Sequence, residues 1–374
     1  MTLLSICIAA IKPAAGFENA LKQMLLSSRS DFEIVVGDFR DGVERASEPL
    51  AAAIHDPRLR VIEMDTAPAS LSADWNQMIE HATGDWISII GENDYADPDI
   101  CEVIAATLKR VSNADALSWG RAEFVPPELG DGKEIARVPT GSKLLLPEQD
   151  EMMRRLFYWA GASERPDCHF SAWHGAVRRT VLDQIRSAFS NVYFENARPD
   201  IDSLCKVTML AKRMVFWERP LSVQCRCSTD ADAALSMESQ ALEGFPFSPT
   251  MGVAGATALA IEAFKRRYGI ELDGWQSGFI AACVKDCETA TSGEAFHARK
   301  AAYAKAIEDW IGKRGLKDFK PEFKRKPKVP RFQGIMEETL YFDMAMDATQ
   351  DAASFYRLIN AISFPVHLLD HKLA

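Results

Sequence analysis

The run Trp86-Ile87-Ser88-Ile89-Ile90-Gly91 is apolar on every side and has no helical period. Bounded by Gly84 and Gly91, it reads as a strand covered on both faces, and such strands belong to parallel sheets flanked by helices. The next stretch, Glu92-Asn93-Asp94-Tyr95-Ala96-Asp97-Pro98-Asp99, is acidic and falls after the strand's carboxyl end, where open α/β sheets bind their ligands. Glu92 and Asp94 are two apart, so an extended turn can aim both at one point, and hard divalent cations bridge carboxylates to substrate phosphates. The alternative for this pair is a solvated turn, in which Asp94→Ala would cost little stability. Asp97-Pro98 also has the pattern of a helix start, with Asp97 as N-cap, so Asp97 and Asp99 have a structural role open to them.

The preceding residues alternate strand and helix: strands over 3–10, 32–37 and 59–64, helices over 17–27 and 72–81. Single helices between strands imply right-handed crossovers and a sheet with helices on both faces. The first strand is followed by Ile11-Lys12-Pro13-Ala14-Ala15-Gly16, so neither a dinucleotide fingerprint nor a P-loop is present. The second strand ends at Asp38, with Asp41-Gly42 close behind. Asp38 is placed either to accept from a nucleotide base or to cap a helix.

Further on, a short strand over 143–146 and helices over 148–159 and 180–189 are expected. Before the last of these lie His169, Trp173 and His174. Five residues apart on a strand-like segment, the two histidines point to opposite faces, which favours packing or hydrogen bonding over shared metal ligation. Arg198-Pro199-Asp200-Ile201-Asp202 opens a helix over 201–212, where one acid can cap and the other can face a cleft. Strands over 214–217 and 222–226 follow. Residues 230–374 read as helical, with segments 253–267, 275–290, 297–311 and 335–361, and carry no catalytic motif.

A net charge of −10 argues against nucleic-acid binding. Lys313 to Arg331 is the basic exception, read as a solvated linker or as a contact for anionic lipid or a phosphorylated acceptor. The eight cysteines are scattered without zinc spacing, which points to reduced thiols. No apolar run is long enough to span a bilayer, and the start Met1-Thr2-Leu3-Leu4 reads as a first strand rather than a signal peptide.

Taken together, Asp38-x-x-Asp41-Gly42, Asp74-Trp75-Asn76-Gln77 with Ala82-x-Gly84-Asp85-Trp86, and Gly91-Glu92-Asn93-Asp94-x-x-x-Pro98-Asp99 resemble the family 2 glycosyltransferases. The resemblance covers residues 3–125 well and 165–227 more loosely. It implies a GT-A fold, a Rossmann-like α/β architecture whose mixed, mostly parallel sheet has helices on both faces. Residues 1–228 would form the catalytic domain (1–125 for the nucleotide sugar, 126–228 for the acceptor), with a helical C-terminal region over 229–374. By resemblance, Asp38 holds the base and Glu92 the ribose or an outer position of the metal, with Asp41, unless it only forms a turn, and Asn93 in the same nucleotide-sugar site. Asp94 with Glu92 would bind Mn²⁺ or Mg²⁺. Asp200 would be the general base with Asp202 beside it, and His169, Trp173 and His174 would lie on the acceptor side.

The implied enzyme transfers sugar, with inversion, from a nucleoside-diphosphate sugar to a glycan or lipid-linked acceptor, as in polysaccharide biosynthesis. The setting would be cytoplasmic or peripheral at the inner membrane face, and self-association is compatible with it. The alternative is an inactive nucleotide-sugar-binding or scaffold protein. Two departures from the family pattern stand out: the usual Asp-Asp-Asp is Glu92-Asn93-Asp94, and Lys12-Pro13 replaces an Asn or Arg.

Overall fold

The structure, a computed structural model, describes residues 2–10, 16–38, 55–64, 70–127, 129, 135–226, 242–323, 333–344, 346 and 349–368. Strands β1 (Leu4–Ala10), β2 (Phe32–Asp38), β3 (Leu59–Glu63) and β4 (Trp86–Gly91) run parallel in the order β3-β2-β1-β4. Helix α1 (Gly16–Leu25) joins the first two strands. Helix α2 (Leu71–His81), whose N-cap is Ser70, precedes β4. The β4 run is buried on both faces as its composition requires: Trp86 and Ile90 pack into one apolar cluster, Ile87 and Ile89 into the other.

The chain continues through β5 (Tyr95–Ala96), helix α3 (Ile100–Arg110), β6 (Ala116–Phe124), β7 (Ile135–Pro139), which lies in a second, three-stranded sheet, β8 (Leu144–Leu145) and helix α4 (Gln149–Phe157). After these come β9 (Gly175–Arg178), helices α5 (Arg179–Ala188) and α6 (Pro199–Leu210), and β10 (Met214–Cys225). Strand β9 runs antiparallel between β4 and β6, while β6 and β10 pair in parallel. The result is a mixed, mostly parallel nine-stranded sheet with helices on both faces, the expected fold class. The two strands read over 214–217 and 222–226 are one: Pro220 offers no N–H to the ladder, and the pairing shifts register on either side of it without ending.

Helices α7 (Val253–Arg267), α8 (Gln276–Glu288) and α9 (Gly293–Ile311) match the helical expectation and cover the sheet face that also carries α2 and α6. The helix expected over 335–361 is corrected. Residues Gly334–Met336 and Thr339–Asp343 are strands β11 and β12, and only Ala352–Ile362 is helical, as α10. Glu337 and Glu338 both have positive φ, the backbone of a two-residue hairpin turn that normally selects Asn-Gly, so the sequence carries no turn signal here.

Strand β12 pairs with β7. Helix α10, opened by a capping box between Asp351 and Ser354, packs on the opposite sheet face with α1 and α3. Buried Arg219 reaches Tyr356 and Asn360 on α10, and the Tyr356 hydroxyl donates to Asp97 Oδ2 at 2.5 Å. Asp97 therefore does not cap α3. The N-cap is Asp99, while Asp97 Oδ1 accepts the Asp99 amide. The seven described cysteines are free and buried. Among the described residues no helix is long and apolar enough to cross a membrane.

Candidate active site

Strand β4 ends at Gly91, and the chain turns back on itself there. The Asp94 amide bonds the Gly91 carbonyl, and the Gly91 amide donates to Asp94 Oδ2 at 2.7 Å. A Cβ on Gly91 would come within 2.8 Å of that oxygen and 3.3 Å of the Trp173 ring, so only glycine allows the close approach. Asp94 does not lie in an open turn, as the sequence reading allowed. It is 4% exposed, and its Oδ1 accepts the Cys225 amide at 2.7 Å.

Its remaining partner is His174, whose Nε2 lies 2.9 Å from Asp94 Oδ2. His174 has no exposure and a φ of 49°, a left-handed conformation that histidine tolerates better than most residues. Gly175 follows because a side chain there would strike the Ser171 carbonyl. His174 Nδ1 sits 2.8 Å from Ser222 Oγ, which also accepts the Trp119 indole N–H at 2.8 Å. A neutral imidazole protonated on Nε2 satisfies every group: the Ser222 hydroxyl donates to Nδ1, and Nε2–H donates to Asp94. Three donors thus occupy a carboxylate with about four lone-pair sites.

Glu92 and Asn93 complete the turn, half-buried. Trp173 is stacked on Trp75 of α2 with ring centroids 5.5 Å apart, and its carbonyl accepts from Arg121 Nη2 at 3.1 Å. Arg121 lies on β6, with its Nε buried and without a hydrogen-bond partner. Burial pushes this guanidinium down to about 10. The Arg165 charge adds to that shift, and Asp200, Glu123 and Asp94 oppose it.

Asp200, in the first turn of α6, is held bidentately by Arg198, with Nε to Oδ1 at 2.9 Å and Nη2 to Oδ2 at 2.6 Å. Burial raises its carboxyl pKa, but Arg198 more than offsets this and holds it below the usual range. Asp202 has a different setting. It is 1% exposed, accepts the Glu195 amide at 2.8 Å and pairs with buried Lys206 at 3.0 Å, so it is a core ion pair rather than a helix cap.

The two histidines separate as expected. His169 is exposed, 3.6 Å from Asp167, while His174 is sealed in the core. Asp38 closes β2, its backbone in register with Ala10 and Glu63. Asp41, Lys12, Pro13 and residues 324–331 of the basic stretch lie outside the described residues. Arg121, Trp119 and Ser222 were not read from sequence. They stand on strands far apart in the chain, and no local motif marks them.

Among the described residues no group of three or more His, Cys, Asp or Glu side chains could cage a metal. Glu92, with the lone pair left on Asp94, fits a different kind of site, one where a hard cation draws most of its ligands from phosphate oxygens and water.

No curated protein matches the chain in sequence. Among solved structures, S. aureus TarS 1-349 is 14% identical with a TM-score of 0.45, covering 90% of this chain and 100% of that one. The same protein in complex with UDP-GlcNAc gives 0.47 at 14% identity and the same coverage. A mycobacterial protein gives 0.40 at 12% identity, covering 73% of this chain and 77% of that one. The model of glycosyl transferase family 2 matches residues 5–160, the segment that holds β1 to β4, the Glu92-Asn93-Asp94 turn and Arg121, so in that segment the chain is similar to glycosyl transferase family 2.

Proposed function

We propose that the protein moves a sugar from a nucleoside-diphosphate donor to a hydroxyl of a glycan or lipid-linked acceptor, with inversion. The observation that supports this best is the position of Arg121. Its guanidinium feels the charges of both Asp94, at the exit of β4, and Asp200, at the mouth of α6, which supports a reading in which the donor turn and the proposed base serve one site.

In this reading Asp38 and Asp41 face the base, and Glu92 and Asn93 the ribose. Glu92 and Asp94 would hold a Mn²⁺ or Mg²⁺ ion, which supplies positive charge to the departing diphosphate. Asp200 takes the acceptor hydroxyl's proton as that oxygen bonds the anomeric carbon and the bond from that carbon to the diphosphate breaks. The low pKa that Arg198 imposes keeps Asp200 ionised at neutral pH and ready to accept. It also makes Asp200 a weak base, so proton transfer comes late, when the hydroxyl has become acidic. His174 acts by holding Asp94 and hence the turn, and Trp173 forms the wall between donor and acceptor sides.

A second reading, nucleotide-sugar binding without turnover, draws on the three donors already filling Asp94. The two part in one experiment, a thermal-shift panel of nucleoside diphosphates with and without Mn²⁺, followed by product analysis with the matching donor sugar. A ligand bound by the native state raises the melting temperature by mass action. Mn²⁺-dependent stabilisation with sugar release or transfer supports the transferase, and stabilisation without chemistry supports the second reading. No stabilisation by any nucleoside diphosphate overturns both.

A further inference from the structure

Arg121 is the least satisfied charge near the cleft. A guanidinium has five N–H donors, yet the contacts it makes among the described residues are one bond to the Trp173 carbonyl and no ion pair within 4.0 Å, and its Nε is buried and unbonded. Arg121 is half-buried, and a polar atom withdrawn from water, as its Nε is, is ordinarily paired because leaving it unpaired is costly. Nearby Arg165, an exposed residue, presses the same sign of charge on it. Arg198, the third cation of this neighbourhood, is spent on Asp200. A fold that keeps Arg121 in this state leaves room for an anion.

The sheet says which substrate brings it. Strand order runs β1-β4-β9-β6, so Arg121 on β6 stands two strands beyond the β4 exit. Adjacent strands are about 4.8 Å apart, which puts the Arg121 strand roughly 10 Å from the strand that leads into the donor turn. We propose that Arg121, with Arg165 beside it, binds an anionic group, a phosphate or a carboxylate, carried by the acceptor close to the hydroxyl that receives the sugar. The proposal rests on the transferase reading for the word acceptor, and on the chain's own geometry for the anion.

The test is calorimetric titration of the wild-type protein, Arg121→Gln and Arg165→Gln with four probes: glucose 6-phosphate, glucuronate, methyl glucoside and UDP. Glutamine can still donate to the Trp173 carbonyl, and Arg165 is exposed, so its variant reports even where Arg121→Gln is unstable. Wild type should bind at least one of the two charged sugars in preference to methyl glucoside, and each variant should weaken that binding about tenfold or more, as for loss of a charged hydrogen bond. UDP affinity should stay unchanged. Phosphate and carboxylate are told apart by which charged sugar binds.

Equal loss of UDP affinity would assign the arginines to the donor diphosphate and overturn the proposal. So would unchanged binding in both folded variants, or a wild-type protein indifferent to all three sugars. Should the wild type bind a charged sugar but no nucleoside diphosphate, the transferase reading fails while the anion site stands.

Discussion

Replacing Asp94 with alanine tests the buried network at its centre. The change removes the acceptor for the Gly91 and Cys225 amides and for His174 Nε2–H, all in a place only 4% exposed. A buried donor left unpaired costs about 1–3 kcal/mol, so three of them cost about 3 kcal/mol at the least. Water entering the vacated space keeps the figure toward that lower end. In a chain of this size about 1 kcal/mol shifts the midpoint by ~1.3 °C, so Asp94→Ala should melt about 4 °C below wild type.

Differential scanning calorimetry beside Glu92→Gln decides it. Glu92 is half-buried in the same turn, and its substitution should stay within about 1 kcal/mol. If Asp94→Ala melts within about 1 °C of wild type, a change below about 0.8 kcal/mol, the three donors are not held by this carboxylate and the reasoning fails. Metal titrations on Asp94→Ala need this control, because lost metal binding and lost turn structure would otherwise look alike.

Asp200→Asn should keep nucleotide affinity and lose about 10²- to 10⁴-fold in transfer rate, while Asp202→Asn, which leaves buried Lys206 with Glu195 at 3.8 Å and the Tyr193 carbonyl as partners, should cost about 1–3 kcal/mol in a melting experiment. Asp74, buried in the first turn of α2, has its carboxyl pushed up to about 6 by burial. Its folded pKa lies above the unfolded value of about 3.9, so the stability it adds is full below about pH 4 and is lost as pH rises through 6. Asp74→Asn should therefore stabilise the protein at pH 7.5 by on the order of 2 kcal/mol, read as a raised melting temperature, and lose that advantage at pH 4; a gain equal at both pH values would refute the assignment. If Lys313 to Arg331 meets anionic lipid, sedimentation with acidic vesicles should exceed that with neutral ones and weaken with salt, the field decaying over about 8–10 Å; equal binding to both would leave a linker.

The half of the sheet built from consecutive strands was legible because β1 to β4 are short apolar runs whose neighbours in sequence are also neighbours in space. Glu92-Asn93-Asp94 was legible as the turn at the carboxyl end of β4 for the same reason, since strand and turn are contiguous. What failed was everything set by distant partners. Asp94 looked exposed because Cys225 and His174, which bury it, are 131 and 80 residues away. The β11–β12 hairpin was hidden because its turn is Glu337-Glu338 in an unusual backbone conformation. Arg121 carries no motif; its setting comes from the strand order that places β6 two strands beyond β4.

The return of α10 to the first sheet face also bears on how the chain is made. Tyr356 meets Asp97 across 259 residues, and Asn19 on α1 donates to Asp351 across 332. Phe355, Tyr356 and Ile359 share an apolar cluster with Leu4, Phe17 and Ile104. At about 5–20 residues per second, a ribosome that has made Asp97 needs roughly 13 to 50 s more to reach Tyr356. Through that interval the nascent sheet has one face without its covering helix, and contacts of such span are slow to close. The amino-terminal half is thus finished last, by residues translated at the far end of the message, and a ribosome stalled before α10 would display an apolar sheet face of the kind that chaperones retain.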